Sequence, residues 1–282
     1  KENISAFGLC EREVGERASE ALDNDREVYR TRLEGNNPQF DIMADTKGDK
    51  ESYQAVKIPL GIDGEAYKAW CRKEKFPQSI PATAAMSLAL RRYYRRKDLT
   101  FATIWNGRRE ETAGTIGMLV KTLPVRTPSG DPDMTVRDYM TELARQQKDF
   151  RSHTVYSFAD AARDFGVNSD FLFGYQGDFI TMPLFNGKPV TCIELPKVAT
   201  GENISAEMFL TAEGAEMHVS YRDDKFSDSL MASLVGNMAS ILKRIMATDG
   251  AAVVSSLTAP DEEERETMLR MGRGGVSSAD KA

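Results

Sequence analysis

Two histidines, His153 and His218, and three cysteines, Cys10, Cys71 and Cys192, are the obvious candidates for acid–base, nucleophilic or metal chemistry in this 282-residue chain. A general base needs its target within hydrogen-bond reach and usually a partner that orients it. His218 stands between Met217 and Val219 in an alternating stretch and reads as an exposed strand position. His153 follows Arg151 and Ser152 and reads as a helix-end residue. No His-x-x-x-His, Glu-x-x-His or Cys-x-x-Cys spacing occurs, so no metal site is expected. Three widely spaced cysteines exclude a disulfide framework, and a reducing, cytoplasmic setting is expected. Ser205 and Ser220 lie on strand faces opposite the apolar ones, but no Gly-x-Ser-x-Gly elbow supports hydrolase chemistry. No phosphate-cradling or dinucleotide loop is present, and 271–275 is a Gly-rich run that reads as linker.

The most informative stretch is 115–126, which reads as one long, nearly continuous apolar strand buried on both faces. A polar pair, Lys121-Thr122, interrupts it. Burying an ammonium without compensation costs several kcal/mol, so these side chains should meet a cavity, a partner or water. The plain alternative is that Lys121 snorkels at a sheet edge.

These residues need elements to hold them. Residues 13–33 read as one charged amphipathic helix and 34–50 as a loop. A strand is expected over 53–60. Asp63 can cap a helix carrying Tyr67, Trp70 and Cys71. Ser79 and Pro81 open another, with Ala82, Ala85, Met86, Ala89 and Tyr93 on one buried face. It ends in the basic cluster Arg91, Arg92, Arg95, Arg96 and Lys97, which reads as a solvated helix end, or else as a surface for an acidic partner. A strand over 99–105 follows, then a turn at Asn106-Gly107 and a polar loop. After a loop at 128–133, Thr135 caps a helix with Val136, Tyr139, Met140, Leu143 and Ala144 as its stripe. Strands are expected at 171–175 and 189–195. Residues 204–211 and 216–221 form a hairpin around Glu213-Gly214. Asp228 caps a last amphipathic helix, and from Ala259 the chain reads as linker. The fold class is therefore α/β, a mixed sheet with packed helices.

The formal net charge of −6 leaves no basic surface excess for nucleic acid. No apolar run approaches the roughly 20 residues of a membrane-spanning helix, so neither nucleic acid nor membrane is expected as a partner.

The stretch Ile116-Gly117-Met118-Leu119-Val120-Lys121-Thr122-Leu123-Pro124-Val125-Arg126 resembles the Ile-Gly-x-Phe-x-Asn-Thr-x-Pro-x-Arg strand of nonribosomal peptide synthetase condensation domains. Ile116, Gly117, Thr122, Pro124 and Arg126 match; Leu119 replaces the aromatic residue and Lys121 the Asn. Other stretches follow in the family's order. Asp98, Phe101 and Gly107-Arg108 resemble the strand and turn before that motif. Tyr29 to Gly35 resembles the helix end Tyr-Trp-x-x-x-Leu-x-Gly, with Tyr29 in place of Trp. His153, Tyr156 and Phe158 match His-Gln-Asp-Tyr-Pro-Phe-Glu in part. Tyr175-Gln176 resembles a strand end, Tyr221 with Phe226 the approach to the last helix, and 257–269 the linker into an adenylation domain.

The resemblance implies one lobe of the V-shaped chloramphenicol acetyltransferase-like fold. It implies that Gly107, Arg108, Gly117, Lys121, Thr122, Tyr175 and Gln176 border a substrate tunnel. Ile116, Pro124, Arg126, His153, Phe158, Tyr221 and Phe226 would support it. The family's reaction depends on His-His-x-x-x-Asp-Gly, which this sequence lacks, so no catalytic residue is expected in the chain. Residues 1–258 would be the C-terminal lobe of a condensation domain and 259–282 a linker toward an adenylation-type domain. The implied partners are the N-terminal lobe, peptidyl carrier proteins and the adenylation domain. Phosphopantetheine would arrive on the carriers, with no cofactor bound here. Thr122-Leu123-Pro124 favours amide-bond condensation over epimerization or heterocyclization. The alternatives are a free-standing acyltransferase of the same fold and a degenerate, noncatalytic interaction lobe.

Overall fold

The computed structural model describes residues 4–36, 42–94, 98–129, 133–178, 184–190, 201–248 and 250–259. Two helices open the chain, α1 (Ala6–Arg17) and α2 (Glu20–Leu33). The single helix expected over 13–33 is thus broken, because Ser19 turns out of the helix and its Oγ accepts from Ala21 N–H. Then come β1 (Gln54–Pro59), α3 (Gly64–Glu74), α4 (Ser79–Leu90), β2 (Thr100–Trp105) and β3 (Lys121–Arg126). They are followed by α5 (Val136–Ser152), α6 (Phe158–Phe165), β4 (Phe171–Gly177), β5 (Leu184–Phe185), β6 (Lys188–Pro189), β7 (Ile204–Thr211), β8 (Gly214–Tyr221), α7 (Asp228–Ala247) and α8 (Val254–Thr258).

Six strands form one sheet in the order β1-β8-β7-β4-β2-β3, with β2, β4 and β7 parallel and the remaining neighbours antiparallel. The mixed α/β class therefore holds. The Ile204, Ala206, Met208, Leu210 and Met217, Val219, Tyr221 faces of the hairpin are buried together. Against that face lie α4 and α7. Every residue of α4 from Ile80 to Leu90 is buried, all round the helix rather than on the one face expected, because α5 and α7 pack on it as well as the sheet. Its two mid-helix hydroxyls are both satisfied, Thr83 donating to the Ser79 carbonyl at 2.7 Å and Ser87 hydrogen-bonded to Tyr139 at 2.7 Å, which pairs polar groups that would otherwise be costly to bury. By length and hydropathy α7 could cross a membrane, but its apolar stripe is packed in this core.

Several boundaries differ from the sequence reading. The cap of α7 is Ser227, whose Oγ accepts from Leu230 N–H, and Asp228 is the first helical residue. Helix α6 is not marked by any long apolar period, yet Ser157 and Asp160 form a reciprocal capping box and Gly166 ends it at φ 69°. Of the strand expected at 189–195, Pro189 closes the short β6, and 191–195 lie outside the described residues. So do Arg95, Arg96, Lys97, Cys192 and 260–282, with most of the expected linker.

The edge strand β3 is finished by side chains. Gln146 of α5 accepts from the Arg126 N–H at 2.9 Å and donates to the Arg126 carbonyl at 3.0 Å. Gln147 donates to the Pro124 carbonyl at 3.0 Å. Both glutamines are buried, and their carboxamides substitute for the strand that an edge lacks. A second, smaller apolar cluster lies at this end: Tyr29, Leu33, Leu123, Phe150, Tyr156, Ala161 and Val167. The Tyr29 ring sits 4.6 Å from Phe150 and 5.0 Å from Tyr156.

Candidate functional site

The expected long strand is paired over only half its length. Gly107 has φ +66°, and a Cβ there would stand 1.8 Å from the Leu119 carbonyl oxygen, so only glycine permits the loop to close on itself. Arg108 then spends its guanidinium on the loop, donating to the carbonyls of Thr112 (3.1 Å), Thr115 (2.8 Å) and Gly117 (3.2 Å). Those carbonyls are turned away from any sheet partner. Ile116 and Met118 are each 93% exposed, which corrects the expectation of a strand buried on both faces. Ladder pairing begins at Lys121, opposite Trp105.

Lys121 stands between two cavities and lines both. The first, about 200 Å³, lies under α1 and is bordered by Glu13, Asp25, Trp105, Gly107 and Arg109. There Lys121 Nζ donates to Glu13 Oε1 at 2.7 Å. The second, about 230 Å³, is bordered by Tyr29, Thr122, Tyr156, Ser157 and Phe158. The sheet edge that would let Lys121 snorkel is present, and the ammonium there is paired with a carboxylate while both side chains stay partly exposed. Helix α1 itself has no buried residue. It is held by Glu13–Lys121, by Arg12–Glu111 at 3.8 Å and by Arg17, which grips Asp160 through two bonds of 2.8 and 3.1 Å. The Arg17 bonds, reinforced by Ser157, hold the Asp160 carboxyl well below the usual carboxylate range.

The structure thus brings Gly107, Lys121, Thr122 and Phe158 together, and Gly117 closes the adjoining loop. Arg126 faces elsewhere: it pairs with Asp98 at 2.7 and 2.9 Å and donates to the Arg32 and Glu34 carbonyls, fastening β3 to the end of α2. His153 ends α5, with Nδ1 2.7 Å from the Asp149 carbonyl, as the helix-end reading expects. Tyr175 and Gln176 line neither cavity at Lys121. Tyr175 donates to Gln78 at 2.7 Å on the helix side, and Gln176 donates to Glu207 at 2.8 Å on the other. Tyr221 donates to Asp228 at 2.5 Å and Phe226 is in the core. His218 is half-buried rather than exposed, because the Phe209 ring packs 4.3 Å away and Glu216 lies 2.6 Å from Nε2. Ser205 and Ser220 face away from the core as expected, yet both are buried. Burial pushes the Cys71 thiol up to about 11, away from nucleophile chemistry. Among the described residues no cluster of His, Cys, Asp and Glu could hold a metal.

The sequence reading missed Glu13, Asp25 and Trp105. Glu13 and Asp25 reach the site from about one hundred residues away, and no local pattern announces them.

The Condensation domain family model matches residues 10–269. The chain belongs to the condensation-domain family. It is 23% identical over 277 residues to one of the proteins that make up the linear gramicidin synthase of Brevibacillus parabrevis, an alignment covering 92% of this chain and 5% of the synthase protein. The fold is similar to that of a holo four-domain nonribosomal peptide synthetase bound to AMP and glycine, with a TM-score of 0.69 and 15% identity over 86% of this chain and 20% of that one. It is also similar to the X-domain of teicoplanin biosynthesis in its complex with OxyB, with a TM-score of 0.67, 15% identity and coverage of 89% and 59%. The first condensation domain of the calcium-dependent antibiotic synthetase, in complex with a substrate analogue, gives a TM-score of 0.65, 16% identity and coverage of 86% and 56%. The chain therefore spans one-twentieth of its curated relative and between a fifth and three-fifths of these solved chains.

Proposed function

We propose that this chain is the C-terminal lobe, 1–258, of a condensation domain, with 259–282 leading toward an adenylation-type domain. The complete domain joins a carrier-bound acyl or peptidyl donor to the amine of a carrier-bound aminoacyl acceptor, forming an amide. This lobe supplies a wall of the substrate passage at Gly107, Gly117, Lys121 and Thr122, and the N-terminal lobe supplies the histidine pair. Phosphopantetheine arrives on the carriers, and the setting is cytoplasmic. The observation that carries the reading is that the Ile-Gly…Thr-x-Pro-x-Arg strand lines both cavities at Lys121, while neither histidine lines them. The test is to incubate the chain with acyl-loaded and aminoacyl-loaded carrier proteins and follow the product by mass spectrometry. No dipeptide should form above the uncatalysed background until the half carrying His-His-x-x-x-Asp-Gly is supplied. Dipeptide made by this chain alone overturns the proposal.

One observation favours a second reading, a noncatalytic lobe that positions neighbours. Lys121 stands where relatives carry Asn, and its charge is already engaged by Glu13. The X-domain bound to OxyB is an example of this fold in complex with another protein. A mixture of both halves that still makes no product supports this reading.

A further inference from the structure

The short helix α8 is finished by side chains from its neighbours. It ends at Thr258, and Ala259 after it is extended, at φ −68° and ψ 144°, the conformation favoured before a proline, here Pro260. The last carbonyls of a helix have no partner within it, and here they go to two arginines from different elements. Arg244 of α7 donates to the Ser256 carbonyl at 2.6 Å, to that of Leu257 at 3.2 Å and to that of Ala259 at 3.4 Å. Arg92, just past α4, donates to the same Ala259 oxygen at 3.0 Å. It also donates to the Asn237 carboxamide, which in turn donates to Tyr93 at 2.9 Å. Two guanidiniums are thereby gathered at one oxygen. A carbonyl satisfies their N–H groups but neutralises neither, and like charges this close repel. Among the described residues no carboxylate pairs with Arg244. The sequence supplies carboxylates at once. Asp261, Glu262, Glu263 and Glu264 follow two to five residues after Ala259, a reach of at most roughly 7 to 18 Å of extended chain.

We propose that the acidic run 261–264 docks on Arg92 and Arg244, neutralising the two guanidiniums that hold Ala259. The occupant is this chain's own segment because its charge is complementary and it is tethered at the oxygen both arginines already hold. A tethered segment binds as an intramolecular partner, at a high effective concentration that a separate molecule lacks. Docked there, the run holds α8 against α4 and α7 and fixes the direction in which the chain leaves the domain. That this direction orients an adenylation-type domain rests on the reading proposed above. The contact itself needs neither that domain nor the other lobe.

The test follows the isotope-labelled full chain through the Nε–H resonance of Arg244 and the hydrogen exchange of the α8 amides. Asp261→Asn, Glu262→Gln, Glu263→Gln and Glu264→Gln together remove the charge and leave α8, Arg92 and Arg244 unaltered. This variant should shift the Arg244 resonance. Its Leu257 and Thr258 amides should exchange about fivefold faster, the worth of two exposed ion pairs, while α4 and α7 keep their protection. Salt at about 1 M, where the screening length is roughly 3 Å, should carry the unmodified chain most of the way to the same values. Arg244→Gln removes the charge but keeps a donor for the carbonyls. In that background the four neutralisations should speed exchange less than about twofold, since coupled changes do not add. The effects should be the same at low and high protein concentration. An Arg244 resonance and α8 exchange that ignore the neutralisations, or the full fivefold effect in Arg244→Gln, overturns the proposal. So does an effect seen only at high concentration, which belongs to the segment of a second copy. Each of these leaves the condensation reading standing. Dipeptide formation by the chain alone overturns that reading and leaves this one.

Discussion

The α4–α7 layer and the α1 end hold the same sheet by different forces. Helix α4 has no charged residue and is buried all round from Ile80 to Leu90. Helix α1 buries nothing and is tied down by carboxylate–guanidinium and carboxylate–ammonium pairs. Apolar burial does not respond to salt screening or carboxylate titration, whereas ion pairs respond to both. The first cavity lies under the second kind of fastening, and Lys121 of the Glu13 pair lines the other as well. The lesson is that the rigid part of the molecule and the part that carries the cavities are built from different interactions, and so can be perturbed separately.

The contrast can be broken most severely in the core. Leu88→Ala, at a fully buried position of α4, should cost roughly 2–5 kcal/mol in denaturant unfolding. Gly107→Ala comes next, at roughly 1–3 kcal/mol for the positive φ alone, with further loss as the Leu119 carbonyl is forced aside. Its damage should concentrate in 107–121 when followed by hydrogen exchange, sparing α4.

Asp160→Asn should cost about 1–2 kcal/mol, the value of charge-assisted bonds to Arg17. The acid response has a definite sign. Asp160 titrates lower in the folded chain than in the unfolded one, so its contribution is fully present above the ordinary carboxylate range near 3.9. That contribution fades as pH falls from there toward the depressed folded value. Exchange protection of α1 and α6 should fall over that window before protection of α7 does. If α7 loses protection first, the two ends are not separable.

The smallest effect on stability is expected from Lys121→Asn. It breaks a partly exposed pair and should change unfolding by less than about 1 kcal/mol. In the complete domain it should nonetheless alter turnover or substrate preference. An unchanged progress curve with both natural substrates counts against Lys121 as part of the passage.

The layers of the fold were legible wherever one residue period ruled a long segment. The 204–221 hairpin and the stripe of α7 were readable because burial on one face imposes the period directly. The stretch 115–126 misled because apolar character there does not mean burial. Ile116 and Met118 are held outward by the carbonyl bonds of Arg108, a tertiary effect absent from the pattern. Helix α6 could have been found from Ser157, Asp160 and Gly166 alone. At the site, Gly107 and Lys121-Thr122 were legible as departures from a strand pattern. The ion partner of Lys121 was not, since Glu13 looks like any solvated helix glutamate. Nor was the outward direction of the Thr122 peptide, which depends on the register of β3 against β2.

The glutamine finish on β3 bears on how the protein behaves in a crowd. A bare edge strand invites a strand from another molecule to add, and repeated addition ends in polymer. Such growth needs several consecutive outward peptides. Gln146 and Gln147 occupy those at Arg126 and Pro124, and proline offers no donor at the latter. One outward peptide, at Thr122, is left. That is too short a template for a strand to anneal, so this edge of the sheet gives the chain's copies no way to stack upon it.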